Sequence, residues 1–368
     1  MSDDKRERQQ LTDRLRELRN QIDALDERIQ ELIARRAQCA QEIAKAKHAS
    51  GTASFYRPER EVEVLRKVMK RNHGPLPNED VARLFREIMS SCLALESRLK
   101  IAFLGPEGTF THAAAFKHFG HAVEIVPTSS IAEVFREVES DAAHFGVVPI
   151  ENSTEGVVNH TLDMFINSPL KICGEVELRI HHLLLSKGKS LRAIKKVLSH
   201  HQSLAQCREW LDTQLPKVER VPVASNAEAA RQAARNKSFA AIAGGSAAEL
   251  YGLKVLAANI EDEPDNTTRF LIIGKLDAQP SGDDKTSLLL SGHNRPGSLA
   301  ALLAPLSRCG INMTHIESRP SRKGVWEYVF FLDLEGHYQD EKLRVALAEL
   351  EREAAFLKLL GSYPKAVL

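Results

Sequence analysis

The sequence has little cysteine, five in 368 residues, and Cys39, Cys92, Cys173, Cys207 and Cys309 are far apart, odd in number and without a CxxC pair. A disulfide framework or a zinc site is therefore not expected, and a reducing cytoplasm fits best. Charge of one sign is lacking too: 50 lysines and arginines against 49 acids leave a net charge of +1. No whole-molecule field attracts nucleic acid or an acidic membrane, so any anion site must be a local cluster. No apolar run reaches membrane-spanning length, and the opening "MSDDKRERQQ" has no apolar signal core, so neither insertion nor secretion is expected. What remains is an ordinary globular balance, 43% hydrophobic and 27% charged, long enough for two or three domains and expected to act on small molecules.

Leu11, Leu15, Leu18, Ile22, Leu25, Ile29 and Leu32 follow alternating steps of four and three, the signature of a long packed helix, with no glycine or proline before Gly51. Such a helix, about 60 Å long, needs a second copy to share its apolar stripe, and a homodimer is expected. Continuing the alternation lands on Arg36, where the pattern asks for an apolar side chain. Lys47, 11 residues later, returns to nearly the same face. The two either bind one anion or snorkel and pair with carboxylates. Helices are expected from Pro58 and, capped by Asn78, through the stripe Val81, Phe85, Ile88, Cys92, Leu95 and Leu99, with Glu96 beside it.

Through "ELRNQIDALDERIQELIARR", "IAKAK", "RPERE" and "LFREIMSSCLALE" this segment resembles the helical chorismate mutases. The resemblance places substrate contacts at Arg19, Arg36, Lys47, Arg60, Glu61 and Glu96, with Arg19 serving the partner subunit's site. It implies a Claisen rearrangement of chorismate to prephenate without metal or cofactor, by folding the substrate and stabilising charge. Arg19 and Arg36 would clamp the carboxylates, Lys47 would donate to the breaking ether oxygen, Glu61 would hold the ring hydroxyl and Arg60 would add positive field. Many relatives carry glutamine for Glu96 and serine for Cys92, and Arg57 sits near where they often carry aspartate.

From Ile101 the pattern changes to short apolar runs alternating with helices. The expected strands end in "GPEGTFTH", "ENSTEG", "SHHQS", "SNAEAA" and "GGSAAE", hydroxyls, amides and glycines at the edge where open α/β sheets bind ligands. "GPEGTF" is neither a dinucleotide nor a phosphate-loop fingerprint. The paired histidines of "SHHQ" would point to opposite faces of a strand with no third ligand nearby, so no metal is expected. "EDEPDNTTRFLIIG" sets an acidic run before two threonines and an arginine; it is either a turn with a solvated arginine or a substrate site. "FLGPEGTFTHAA", "VVPIENSTEG", "VLSHHQSLAQC", "AAELYGL" and "NTTRFLIIG" resemble prephenate dehydratases, which favours the site. The resemblance implies two α/β lobes around a cleft, like type II periplasmic binding proteins, with Thr268 helping the hydroxyl of prephenate to leave. Glu151, Asn152, Ser153, Ser199, Gln202, Asn226 and Arg269 are expected in the pocket wall, Arg269 on a carboxylate or bracing the loop.

After the polar "LDAQPSGDDK" the order strand, helix, strand, strand, helix, strand is a split βαβ arrangement. "RPGSLAALL", "GINMTHIESRP" and "WEYVFFLDL" resemble the ACT regulatory domain, a ferredoxin-like α+β fold. The resemblance implies L-phenylalanine near Asn294, Pro296, Gly297, Ser298, Leu299, Asn312, Glu317, Ser318, Arg319 and Pro320, across a dimer interface. The expected architecture is thus multidomain: an all-α mutase unit over 8–99, a two-lobed α/β dehydratase unit over 100–277 and an ACT unit over 285–365. A non-catalytic amino-acid sensor is the competing class, and it has no need of Arg36, Lys47 and Glu96 inside an apolar stripe. Glu96 donates only when protonated, so mutase activity should fall as pH rises through its titration. A flat profile from about pH 5 to 8, the same in Glu96→Gln, would contradict this.

Overall fold

The computed structural model describes residues 2–49, 56–293, 295–320 and 328–367, with side chains from Glu7 onward. Helix α1 (Ser2–Ala49) runs unbroken for 48 residues, about 72 Å at 1.5 Å per residue. Residues 7–35 are exposed throughout, so the leucine and isoleucine stripe stands clear of the rest of the chain. The helix meets the body of the protein only beyond that, where Ala44 is buried. Helix α2 (Pro58–Arg71) starts on its proline, whose missing N–H costs nothing at that position. Helix α3 (Asn78–Ala94) is preceded by Pro77 in the cap position. Asn78 is therefore not the cap; its side chain instead accepts a hydrogen bond from Asn72 Nδ2 at 2.9 Å. The helix also stops earlier than the apolar stripe suggests, leaving Glu96 in the following turn, with its N–H on Leu93 O at 2.9 Å.

The central unit begins with β1 (Lys100–Leu104), α4 (Phe110–Phe119), β2 (Glu124–Thr128), α5 (Ile131–Glu139), β3 (Phe145–Asn152), β4 (Gly156–Val157), α6 (Asn159–Asn167) and β5 (Lys171–Arg179). It continues through β6 (Leu183–Ser186), β7 (Lys196–Ser199), α7 (His201–Gln206), α8 (Arg208–Gln214), β8 (Glu219–Pro222), α9 (Asn226–Ala233), β9 (Phe239–Ala243), α10 (Gly245–Tyr251), β10 (Lys254–Ala257) and β11 (Thr267–Gly274). One sheet has the order β2-β1-β3-β11-β5, with β4 on β3; the other has β10-β6-β9-β7-β8. The chain crosses to the second lobe at 180–182 and returns over 258–266 to insert β11 antiparallel between β3 and β5. Both crossings are tied together: Ile180 N–H bonds Asn266 O at 2.8 Å and Ile260 N–H bonds His182 O at 3.0 Å. The acidic run before β11 belongs to this hinge, because Glu261 accepts from His182 N at 2.8 Å and Asp262 caps the start of α8.

The third unit is β12 (Asp284–Ser291), α11 (Ser298–Arg308), β13 (Met313–Pro320), β14 (Tyr328–Glu335), α12 (Glu341–Glu353) and β15 (Phe356–Pro364), with sheet order β13-β14-β12-β15. Helices α11 and α12 cover one face through Leu302, Leu306, Leu343 and Leu350. The other face is no solvent surface: Leu289, Phe331, Leu360 and Tyr363 share a core with Ile150, Phe165 and Ile172 of the central unit. The connecting segment is docked as well. His337 Nε2 bonds Ala278 O at 3.0 Å, and Arg66 of α2 donates to Ser281 O at 3.1 Å and Asp283 O at 3.0 Å.

Strand β15 approaches β5 backbone to backbone at Gly361, which has φ 153°, and a Cβ there would lie 2.3 Å from Ile172 O. Only glycine fits. Gly361→Ala should lower the thermal transition of the whole chain, because overpacking of this kind costs about 1–3 kcal/mol. A melting curve superimposable on that of the parent would contradict the close approach.

Candidate functional sites

Two cavities of similar size hold most of the expected residues. The first, about 440 Å³, lies among α1, α2 and α3. Helix α1 contributes Arg36 and Lys47, α2 contributes Arg60 and Glu61, α3 contributes Cys92, and the turn after it contributes Glu96. With Arg57 at the rim, four cations face two carboxylates, a field suited to a small dianion. Arg19 is not there. It lies on the exposed part of α1, about 25 Å along the axis from Arg36.

Glu61 is the most constrained of these groups. Arg86 of α3, itself buried, donates Nε–H to Glu61 Oε1 at 3.1 Å, and Tyr56 also hydrogen-bonds the carboxylate. Burial pushes the Glu61 carboxyl up, opposed by the Arg86 guanidinium and the Tyr56 hydroxyl. Neither Tyr56 nor Arg86 was expected from the sequence, where 25 residues separate Arg86 from Glu61 and no periodicity relates them.

The second cavity, about 400 Å³, is the cleft between the lobes. Strand ends and helix starts line it: Thr109 and Phe110 before and at the start of α4, Gln202 in α7, Asn226 opening α9, and Asn152 and Thr268 from β3 and β11. Thr268 and Asn152 are in register, and Asn152 Nδ2 donates to Thr268 Oγ1 at 2.7 Å and to Asn266 Oδ1 at 2.8 Å. The network continues from Asn266 Nδ2 to Gln206 Oε1 at 3.2 Å, which His182 Nε2 also contacts at 2.8 Å. His182 is kept neutral by burial, which pushes its pKa down. Thr268 Oγ1 thus accepts from the protein while its own proton is donated to no described residue.

Several residues expected in this wall stand behind it or face away. Ser199 is buried; its hydroxyl donates to Asn226 Oδ1 at 2.8 Å and so orients the amide rather than meeting a ligand. Ser153 Oγ accepts from Thr267 N at 3.0 Å, fixing the start of β11. Glu151 and Arg269, neighbours of Asn152 and Thr268, point to the opposite face because side chains alternate along a strand. Glu151 lies 3.6 Å from His315 of β13. Arg269 is a correction to the expected substrate contact: it is buried between sheets, on Glu175 at 2.8 Å, Asp333 at 2.6 Å and Tyr363 Oη at 3.2 Å. Lys285 joins the same Glu175 oxygen at 2.7 Å. The two cations and two carboxylates neutralise one another, and the acids hold the Arg269 pKa above its ordinary value against the pull of burial.

The paired histidines are also corrected. His200 follows β7 and His201 opens α7, so the rings are not split across a strand but lie 4.2 Å apart. No His, Cys, Asp and Glu cluster of metal-binding type occurs among the described residues.

In the third unit Gly297, with φ 77°, precedes α11, which Ser298 and Leu299 begin. Asn312 is engaged with Glu335 Oε2 at 3.0 Å. Glu317 to Pro320 end β13, the edge strand, two strands or about 10 Å from β12, whose following loop carries Pro296. Arg319 does not face that loop: it forks onto Asp163 of α6, at 3.1 Å and 3.3 Å. Asn294 lies outside the described residues.

The sequence matches the family models for chorismate mutase type II over residues 18–97, prephenate dehydratase over 101–278 and the ACT domain over 286–352. It is 58% identical to the bifunctional chorismate mutase/prephenate dehydratase of Stutzerimonas stutzeri over 361 residues, 97% of this chain and 99% of that one. Identity and coverage are the same for the bifunctional chorismate mutase/prephenate dehydratase of Pseudomonas aeruginosa. The structure of prephenate dehydratase from Arthrobacter aurescens in complex with L-Phe superposes with a TM-score of 0.67 at 35% identity, covering 72% of this chain and 90% of that one. A structure described as a novel type of quorum quenching acylase gives a TM-score of 0.67 at 31% identity, covering 73% and 98%.

Proposed function

The chain belongs to the bifunctional chorismate mutase/prephenate dehydratase family, with an ACT domain after its two catalytic units, and from that premise we propose which residues do the work. In the cavity among α1, α2 and α3, Arg36 and the partner subunit's Arg19 clamp the carboxylates of chorismate. Lys47 and Glu96 donate to the ether oxygen, Glu61 accepts from the ring hydroxyl and Arg60 adds positive field. No bond to the protein forms; the substrate is held folded in a site whose net charge is opposite to its own. The exposed stripe of α1 supports a homodimer, since Leu11, Leu15, Leu18, Ile22, Leu25, Ile29 and Leu32 are each at least 40% exposed in the single chain. Five free cysteines support a reducing cytoplasm.

In the cleft, prephenate loses its ring carboxylate as carbon dioxide while the C–O bond opposite breaks, and the ring becomes aromatic. The departing hydroxide needs one proton to leave as water, and that proton comes from solvent, passed through the Thr268 hydroxyl, which is reprotonated in turn. Thr268 supplies the hydrogen bond to it, and the observation that carries this reading is the Asn152 N–H on Thr268 Oγ1 at 2.7 Å, which orients the hydroxyl with its proton free for the cleft. Gln202 and Asn226 wall the pocket.

The third unit binds L-phenylalanine at 296–299 and at Glu317, Ser318 and Pro320, between two copies, with Arg319 held aside on Asp163. Feedback inhibition follows if the ligand favours an ACT arrangement that moves Arg269, one residue from Thr268. The assay that tests the whole reading is chorismate turnover with separation of prephenate from phenylpyruvate, with and without L-phenylalanine. Phenylpyruvate formation, suppressed by the amino acid, is expected; accumulation of prephenate alone, or no turnover, would contradict it.

Thr268→Ala should keep mutase activity and lower dehydration by about 100-fold or more; equal loss of both would contradict separate sites. Arg269→Met leaves buried Glu175 and Asp333 short of a cation and should cost about 3–5 kcal/mol in denaturant unfolding. It should also weaken inhibition by L-phenylalanine, and the milder Asp333→Asn should do likewise. Unchanged inhibition in both variants would remove Arg269 from the coupling.

A further inference from the structure

Glu61 borders two spaces. On one side is the 440 Å³ cavity; on the other is a small space of about 20 Å³, room for a single water, where the mutase and dehydratase units meet the C-terminal residues Pro364 to Val367. The groups behind Glu61 are not all from its own unit. Arg86 donates Nε–H to Glu61 and, through Nη1, donates to the carbonyl of Lys117 on α4 at 2.6 Å. Tyr56, which hydrogen-bonds the same carboxylate, meets His118 Nε2 of α4 at 3.0 Å. Burial, reinforced by the Arg86 charge, lowers the His118 pKa to about 3, so the ring is neutral. A proton on Nε2 then donates to Tyr56 Oη and leaves the phenol proton for Glu61. Two consecutive residues of a dehydratase helix thereby anchor both groups that hold one mutase carboxylate.

We infer that Arg86 is a positioning residue for the mutase reaction, aiming the Glu61 carboxylate at the substrate from a seat on dehydratase helix α4. This rests on the reading of the α1–α3 cavity as the mutase site. Arg86 does not line the cavity beside Arg36 and Arg60; its guanidinium is buried, 8% exposed, and committed on both edges. The geometry explains why a carboxylate that must accept a hydrogen bond can sit in so closed a place. Desolvation alone favours the protonated acid, a donor where an acceptor is required, and the adjacent cation counters it.

The charged and titratable groups around Glu61 are few enough to name. From α1 come Arg36, Cys39 and Lys47, from α2 and the residues before it Tyr56, Arg57 and Arg60, from α3 Cys92, and from the turn after α3 comes Glu96. From the other side come Arg86, His118, Cys173, Glu175 and Lys365. His118 is neutral, and burial pushes the Cys173 thiol up to about 12, so neither changes charge near neutral pH. Arg86 is the cation in direct hydrogen bond with Glu61 among the described residues, and its removal should be felt mainly there. The predicted sign follows: without Arg86 the acid limb of the mutase profile moves to higher pH, because Glu61 takes its proton sooner.

The test compares Arg86→Met, Arg86→Lys and Glu61→Ala in the full chain, measuring mutase kcat/KM against pH and dehydratase activity on supplied prephenate. For Arg86→Met the expected result is a loss of mutase kcat/KM of about 10- to 100-fold near neutral pH, an acid limb shifted upward and dehydratase activity retained. Arg86→Lys should restore part of the rate and of the profile. A parent-like rate and profile in Arg86→Met, with Glu61→Ala inactive as a mutase, would overturn the inference and leave the site reading intact. Mutase activity surviving in Glu61→Ala would overturn both. Equal loss of the two activities in Arg86→Met, with a lowered melting transition, would assign Arg86 to folding alone and overturn the inference.

Discussion

A guanidinium buried between two sheets holds this molecule in register. Arg269 meets Glu175 on its own sheet and Asp333 and Tyr363 on the ACT sheet. A buried cation is tolerated only when its charge and donors are met, so the position of β11 between β3 and β5 is tied to that of β12, β14 and β15. Because side chains alternate along a strand, fixing Arg269 on one face fixes Thr268 on the other. The dehydratase cleft and the ACT sheet are therefore opposite faces of one strand. The apolar core shared by Tyr363, Phe331, Phe165 and Ile172 makes that strand a rigid connection rather than a tether.

A second connection runs the other way. Helix α4 begins at the cleft with Phe110 and ends at Phe119, and its last turn carries the carbonyl and the imidazole that seat Arg86 and Tyr56 behind Glu61. At ten residues it spans about 15 Å. The mutase unit of this chain thus borrows support from its neighbour, while its longest helix leaves an apolar stripe and Arg19 exposed. Each site is completed by a part of the protein that lies outside its own unit in sequence.

What was legible in the sequence was whatever repeats locally. The spacing of Leu11 to Leu32 gave a helix, the interruption at Arg36 and Lys47 gave a cation pair on one face, and polar residues after apolar runs gave the edge where the cleft lies. Local signals also erred where two rules competed: Pro77 took the cap position from Asn78, and α3 ended before its apolar pattern did. The roles of Arg269, Glu151, Ser199 and Arg319 were not legible, because each depends on which face of a strand meets a segment far away in sequence. Alternation from Asn152 and Thr268 could have placed Glu151 and Arg269 away from the cleft. Nothing in the sequence could have joined Arg86 to Glu61 and Lys117, since that contact exists only after two units dock. Gln206, one helical turn beyond Gln202, was within reach of a periodicity argument and lines the same cleft.

If the ACT unit governs the cleft, β11 is the element that carries its state to Thr268. Amide hydrogen exchange of the full chain, with and without saturating L-phenylalanine, tests it most directly. Altered protection is expected in β11 and its neighbours β3 and β5, around Asn152, Glu175 and Thr268, in addition to changes at the ligand. Changes confined to the ACT unit, with β11 exchanging identically in both conditions while inhibition is complete, would contradict it.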